Sequence, residues 1–304
     1  MESVVVTGSS GFIGASLCRE LVEEGFDVRG IDKHPPLFEH PPQLETDIID
    51  LTTSPDLPVA DIVIHLAAHS QVQPIVSKTA LATENIEMTR HVLSEASKID
   101  AFVVNASSRD MYGAAIRPLE NEVNLDSPNG YAASKVACEA LANSYRHTHG
   151  LRVTSLRLSN VYGPMDANQR VIPTFIALAN HGEKLQVFGD TKLLDFVYIK
   201  DVCDAILATI RRQLTVDGMS LNIGSGVGSS LPRVASIIAE QVDVCPGWEF
   251  GPDRTGDVHR YVTNLSNAAA VLDFKPAVQL EEGLRKTIDW YQSRPELLAE
   301  LVAS

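Results

Sequence analysis

A run of three valines, Val4-Val5-Val6, passes without a break into Thr7-Gly8-Ser9-Ser10-Gly11-Phe12-Ile13-Gly14, and an apolar-faced helical pattern follows over about 13–24. A strand that turns on glycines straight into a helix starts a βαβ unit, and that unit commits the chain to a parallel sheet. Each glycine has a physical reason. Gly8 allows the tight turn, Gly11 lets a pyrophosphate approach the backbone, and Gly14 lets the helix pack closely on the strand. The anion then lies at the helix N-terminus, where free N–H groups and the dipole favour it. The spacing is GxxGxxG rather than GxGxxG, so the generic dinucleotide pattern is met only loosely. Asp32 stands at the end of the second strand-like run, eighteen residues beyond Gly14, near the place of the acid that bonds the adenosine ribose hydroxyls. A carboxylate there repels a 2′-phosphate, which favours NAD over NADP; Lys33 weakens that preference slightly.

Apolar strand-like runs at 28–32, 62–66, 102–105 and 153–158 alternate with helical patterns at 82–96 and 130–147. Short, nearly continuous apolar strands separated by helices predict an α/β fold, a doubly wound parallel sheet covered on both faces. Past Gly163-Pro164 the pattern loosens into shorter elements richer in Gly and Pro, with late helices at 229–242 and 281–290 and a frayed helical tail after Pro295. These shifts place a dinucleotide-binding domain at 1–165, re-entered over about 196–225. A smaller C-terminal α/β domain takes 166–195 and 226–304. The formal charge of −14 and the pI of about 5.0 oppose binding to nucleic acid or an anionic membrane surface. No apolar run reaches membrane-spanning length and the first residues lack a secretory leader. Cys18, Cys138, Cys203 and Cys245 are scattered, as in a reducing compartment, so a cytoplasmic location is expected.

The second chemical motif is Tyr131-Ala132-Ala133-Ser134-Lys135, on a helix opening after Pro128-Asn129-Gly130. Residues four apart share a helical face. A phenol ionises near pH 10 and is a poor base at neutrality unless a cation is held close to it. Ser107-Ser108, closing the strand at 102–105, adds a hydroxyl that can bridge a substrate oxygen and the tyrosine oxygen. A lone YxxxK is common by chance; a Gly-rich turn, an acid, a serine and YxxxK in that order are specific. His147 and His149, two apart at a helix end, point to different faces and predict no metal site. Glu120 and Glu122 read as solvated loop residues, and His69 as a hydrogen-bonded loop histidine.

The chain resembles the extended short-chain dehydrogenase/reductases, in their NAD-dependent epimerase/dehydratase branch, which includes UDP-glucose 4-epimerase. The resemblance rests on TGSSGFIG (7–14), TDIIDL (46–51), HLAA (65–68), SSRDMYG (107–113), YAASK (131–135), LRLSNVYGP (156–164), VFGD (187–190), DFVYIKDV (195–202), NIGSG (222–226), DRTGDV (253–258) and LEEGL (280–284). It implies a Rossmann-type domain binding NAD and a smaller domain binding a nucleotide sugar. It also implies that Ser108, Tyr131 and Lys135 are catalytic, with Tyr131 and Lys135 touching the cofactor as well. Gly8, Gly11, Phe12, Ile13, Gly14 and Asp32 would then hold the dinucleotide. Asp47 and Ile48 would flank the adenine, Leu66, Ala67 and Ala68 would line the cofactor, and Asn85 would lie close to it. Ser108, Asn160, Val171, Val187, Phe188 and Arg254 would meet the substrate. A homodimer is implied too, with the helices at 82–96 and 131–147 pairing with their copies in a four-helix bundle.

Two departures bear on activity. Many relatives carry an arginine just before Asp195-Phe196 as a second diphosphate clamp, where this chain has Leu194, with Lys192 two residues earlier. Sugar 4,6-dehydratases usually carry an Asp-Glu or Ser-Glu pair where this chain has Arg109-Asp110, and epimerases carry small or neutral residues there. The leading expectation is an NAD-dependent epimerase inverting C4 of a UDP-hexose or related sugar through a transient 4-keto intermediate. A nucleotide-sugar dehydratase and a non-catalytic NAD-binding member of the same fold are the alternatives. The intact Ser-Tyr-Lys set argues against the last of these.

Overall fold

The computed structural model describes residues 1–53, 55–189, 192–251 and 260–303. In chain order the first part runs β1 (Ser3–Thr7), α1 (Phe12–Glu23), β2 (Asp27–Asp32), β3 (Glu45–Ile48), β4 (Ile62–His65), α2 (Val72–Ser77), α3 (Ala80–Lys98) and β5 (Phe102–Ser108). The short β6 (Ala115–Ile116) precedes α4 (Gly130–His149), β7 (Val153–Leu158) and β8 (Asn160–Tyr162). Then come α5 (Val171–Asn180), β9 (Leu185–Phe188), β10 (Leu193–Tyr198), α6 (Ile199–Arg211), α7 (Gln213–Val216), β11 (Ser220–Ile223) and β12 (Gly228–Ser230). The last elements are α8 (Leu231–Gln241), β13 (Trp248–Gly251), β14 (Tyr261–Val262), α9 (Ser266–Leu272), α10 (Leu280–Gln292) and α11 (Pro295–Ala303).

Seven parallel strands form the central sheet in the order β11-β7-β5-β4-β1-β2-β3, the expected Rossmann-type doubly wound architecture. β1 is flanked on both edges, Val5 lying beside Arg29 of β2 and Val63 of β4. Its side chains alternate faces, as strand geometry requires. Val4 and Val6 join one core with Leu17, Cys18 and Leu21 of α1, while Val5 joins the other with Met88, Val92 and Leu93 of α3. Burial on both sides is why three consecutive valines suit this strand.

The chain leaves this sheet after β7, builds β8, α5, β9 and β10, and returns through α6, which packs on α1, to add β11 as the edge strand beside β7. The other lobe contains the three-stranded β12-β10-β8 sheet and the β13-β9 pair, covered by α5, α8 and α10. The expected frayed tail is instead the helix α11. Its Leu297, Leu298 and Leu301 are buried against α5 and α10, so apolar burial holds it down.

Candidate active site

The strand order reverses at β1, and in open parallel sheets ligands bind outside the carboxyl ends of the strands at such a reversal. A cleft of about 1020 Å³ lies there, lined by the β1–α1 turn, the ends of β2, β4 and β5, the start of α4, and the loop leading into α5.

Gly8, Gly11, Phe12, Ile13 and Gly14 all face this cleft. Gly8 has φ +74°, and a Cβ there would stand 2.7 Å from the Ala67 backbone N. A Cβ on Gly14 would stand 2.1 Å from the Gly8 carbonyl oxygen. Gly11 caps α1 without a side-chain hydrogen bond, and no acidic residue occupies the first turn, so the helix presents backbone donors to an anion. Asp32 lines the cleft while its Oδ2 accepts from Ser10 N and its Oδ1 from His34 N, both at 3.0 Å. These bonds aim the carboxylate and leave lone pairs for ribose hydroxyls. An uncapped helix start, a glycine cradle and an aimed carboxylate fit a dinucleotide.

Leu66, Ala67 and Ala68 line the cleft beside Gly8. Beneath them His65 is buried between the Thr7 hydroxyl (2.8 Å) and the Thr89 hydroxyl (3.1 Å), and burial pushes its imidazole down to about 3. Asn85 is not at the cleft surface. It accepts from His69 N (2.7 Å) and donates to His69 O and to the Ser134 hydroxyl, tying the loop after β4 to α4. His69 is a loop histidine hydrogen-bonded to Glu84, and it also lines the cleft. Asp47 and Ile48 are not brought to the cleft wall: Asp47 pairs with Arg29 at 2.6 Å and Ile48 is exposed. Ile49 and Asp50, next along the chain, line the cleft.

Ser108, Tyr131 and Lys135 also line the cleft. Asn129 caps α4 by accepting from Ala132 N at 2.9 Å, which fixes Tyr131 in the first turn. Lys135 donates to the Ala106 carbonyl (2.8 Å), and its Nζ lies 5.9 Å from the centre of the Tyr131 ring. The Ser108 oxygen accepts from Asp110 N (3.1 Å), so its proton is free to reach a ligand.

Arg109 and Asp110 meet in space, with Nε 2.9 Å from Oδ1. Arg109 Nη2 also donates to Asn160 Oδ1 (3.0 Å), and the guanidinium lies 5.5 Å from the Tyr261 ring centre. Asn160 in turn donates to the Asp195 carbonyl (2.8 Å). The buried Asp195 carboxylate accepts from Ser225 N, Gly226 N and Thr263 N, joining DFVYIKDV to NIGSG and to β14.

Of the remaining expected substrate residues, Asn160 and Val171 line the cleft; Val187 and Phe188 do not, Val187 being fully buried in β9. Arg254 lies outside the described residues. Lys192 is buried and Leu194 half-buried in β10, and neither faces the cleft. Motif reading missed Arg170, Asp166 and Asn168, which line the cleft from the loop after β8. Arg170 donates to the Ser70 hydroxyl (3.1 Å) and Gln71 to Asn168 (3.3 Å), spanning the two walls. Glu120 is no idle solvated residue: it accepts from Asn222 N (3.0 Å) and from the Asn267 side chain (2.7 Å).

The chain belongs to the NAD-dependent epimerase/dehydratase family, whose model matches residues 4–224, and its cofactor is NAD. It is 32% identical to the low-salt glycan biosynthesis protein Agl12 of Haloferax volcanii, over 95% of this chain and 98% of that one. It is 29% identical to a UDP-glucose 4-epimerase of Mycolicibacterium smegmatis, over 96% and 99%. The structure of MoeE5 in complex with UDP-glucuronic acid and NAD superposes with a TM-score of 0.86 at 30% identity, covering 96% of this chain and 99% of MoeE5. The relatives include both epimerases and dehydratases of nucleotide sugars.

Proposed function

We propose that this protein is an NAD-dependent epimerase that inverts C4 of a UDP-hexose or related UDP-sugar through a transient 4-keto sugar. The observation that carries this is that Ser108, Tyr131 and Lys135 line the same cleft as the glycine turn of α1 and an aimed Asp32, with Lys135 Nζ 5.9 Å from the Tyr131 ring centre. Bound NAD supplies the hydride acceptor for C4 and the donor on the return. Tyr131 takes the proton of the C4 hydroxyl and gives it back at the end of the cycle. Ser108 holds the same sugar oxygen, and Lys135 keeps a positive charge beside the phenol. The 4-keto sugar turns over between the two transfers, so its other face meets the returning hydride. Asn160 of the first lobe and Arg254 of the second hold the sugar diphosphate, and Val171 lines the nucleotide pocket. The first lobe, residues 1–165 with 196–225, holds the cofactor.

Elimination of water needs a second group that hands over a proton near C5–C6. Asp110, the acid at that place in the motif, is held against the Arg109 guanidinium, which supports epimerisation. The test is incubation of NAD-loaded protein with UDP-glucose, UDP-N-acetylglucosamine, UDP-glucuronate and dTDP-glucose. A C4 epimer is the expected product. Loss of 18 mass units from the sugar would assign a dehydratase, and no conversion of any of them would overturn the reading.

A further inference from the structure

Beside the Ser108 hydroxyl the cleft wall carries a cation whose donors are only partly used. Nε and Nη2 of Arg109 lie along one edge of the planar guanidinium: Nη2 donates to Asn160, and Nε is ion-paired at 2.9 Å with Asp110 Oδ1, an oxygen that accepts no hydrogen bond among the described residues. Nη1, on the other edge, is buried and has no hydrogen-bond partner among the described residues. The side chain is only 12% exposed. An unpaired donor in a buried cation is costly, and such groups are normally satisfied. The contacts that are made fix the group in place: Asp110 and Asn160 hold one edge and the Tyr261 ring lies near its face, leaving Nη1 without an acceptor.

Ser108 and Arg109 are consecutive, so a sugar whose C4 oxygen rests on Ser108 and Tyr131 brings the substituents flanking C4 toward Arg109. Those are the C3 hydroxyl and the C5–C6 arm. A neutral hydroxyl matches the free Nη1 donor weakly, whereas a carboxylate at C6 matches it with a charge-assisted hydrogen bond. We propose that Arg109 determines specificity at C6 and that the preferred substrate is a UDP-uronate, a nucleotide sugar whose C6 is a carboxylate. This rests on the nucleotide-sugar reading above and narrows it. Asp110 is the positioning partner: it sits on the Nε edge, away from the Nη1 edge that takes the ligand.

The test is calorimetric titration of NAD-loaded protein with UDP-glucuronate, UDP-glucose and UDP-xylose, which lacks C6. Hydrogen bonds between charged groups predict UDP-glucuronate binding about 10- to 100-fold tighter than UDP-glucose, with UDP-xylose close to UDP-glucose. Arg109→Gln erases that ratio, and Arg109→Lys, which keeps the charge but not the fixed Nη1 donor, retains part of it. In turnover the change appears chiefly in the KM for the uronate. Should Arg109→Gln fail to fold, the wild-type series decides alone. UDP-glucose bound as tightly as UDP-glucuronate, or an Arg109→Gln protein that keeps the preference, overturns the assignment and leaves the epimerase reading intact. If none of the three sugars binds, both fall.

Discussion

Replacing Gly14 by alanine tests whether the cofactor cradle depends on close contact between helix and turn. The added Cβ would stand 2.1 Å from the Gly8 carbonyl oxygen, 2.8 Å from the Gly8 carbonyl carbon and 2.8 Å from Ser9 Cα. All three are backbone atoms, so no side chain can swing away. Relief to an ordinary contact of about 3.4 Å requires the helix start and the turn to separate by about 1.3 Å. Overpacking of this kind costs about 1–3 kcal/mol of stability. The same displacement moves the backbone donors of the α1 N-terminus away from the pyrophosphate. Loss of one charge-assisted hydrogen bond weakens NAD binding by about 10- to 100-fold. The assay is calorimetric NAD titration of cofactor-stripped protein, paired with thermal unfolding. Gly25→Ala is the control: Gly25 has φ +85° but open space around its Cβ position, so it strains the backbone without touching the cradle. A Gly14→Ala protein that binds NAD within threefold of wild type and melts unchanged would refute the reasoning.

Four further outcomes follow from the geometry. Asp32→Ala should narrow the preference for NAD over NADP, seen as a smaller ratio of the two dissociation constants; equal affinity of the unmodified protein for both would remove the role given to Asp32. Tyr131→Phe should lower kcat by about 10²–10⁴-fold while NAD affinity stays within a few-fold, and an undiminished kcat would end the proton-transfer scheme. Burial, with a smaller contribution from Lys135, holds the His65 imidazole at about 3, below its ordinary 6.5. The unfolded chain therefore binds the extra proton first, so the stability from a neutral His65 is complete above pH 6.5. It falls by up to about 1.4 kcal/mol per pH unit between 6.5 and about 3. Urea unfolding at pH 7 and pH 5 should show a larger loss in wild type than in His65→Gln, and equal losses would contradict this. Finally, α3 and α4 pack on each other, while α4 leaves Ala140 exposed and Val136, Ala137 and Leu141 only half-buried. Light scattering should give twice the 33.0 kDa chain mass, and a concentration-independent monomer would rule out the helix-bundle dimer.

The features legible in the sequence are those with a local cause. The valine run, the glycine spacing and the four-residue step from Tyr131 to Lys135 each follow from strand or helix periodicity within one segment. β3 has no such signal, because ETDI is short and polar and carries no apolar alternation. In the same segment the motif marked Asp47 and Ile48, yet Ile49 and Asp50 face the cleft, because a strand end fixes position more readily than side-chain direction. Long-range contacts had no local signal at all. Arg170 reaches Ser70, Glu120 reaches Asn222 and Asn267, and Asn85 reaches Ser134, each across a separation that only the folded chain closes. The Arg109–Asp110 contact is adjacent in sequence, yet it depends on side-chain rotamers rather than spacing. The buried Arg157–Glu139 pair joins β7 to α4, and its members are separately ordinary polar residues of a strand and a helix.

The late arrival of β11 has a consequence for how this chain is made. All six residues of β7 are buried, and one long side of that strand is covered only by β11, which follows residues 159–219. While the chain emerges from a ribosome, β7 is therefore a strand with a bare hydrogen-bonding edge, able to capture a strand from a neighbouring polypeptide. A fragment that ends after residue 165 meets the same difficulty. Its β7 edge stays open unless the segment carrying α6 and β11 is supplied in the same chain.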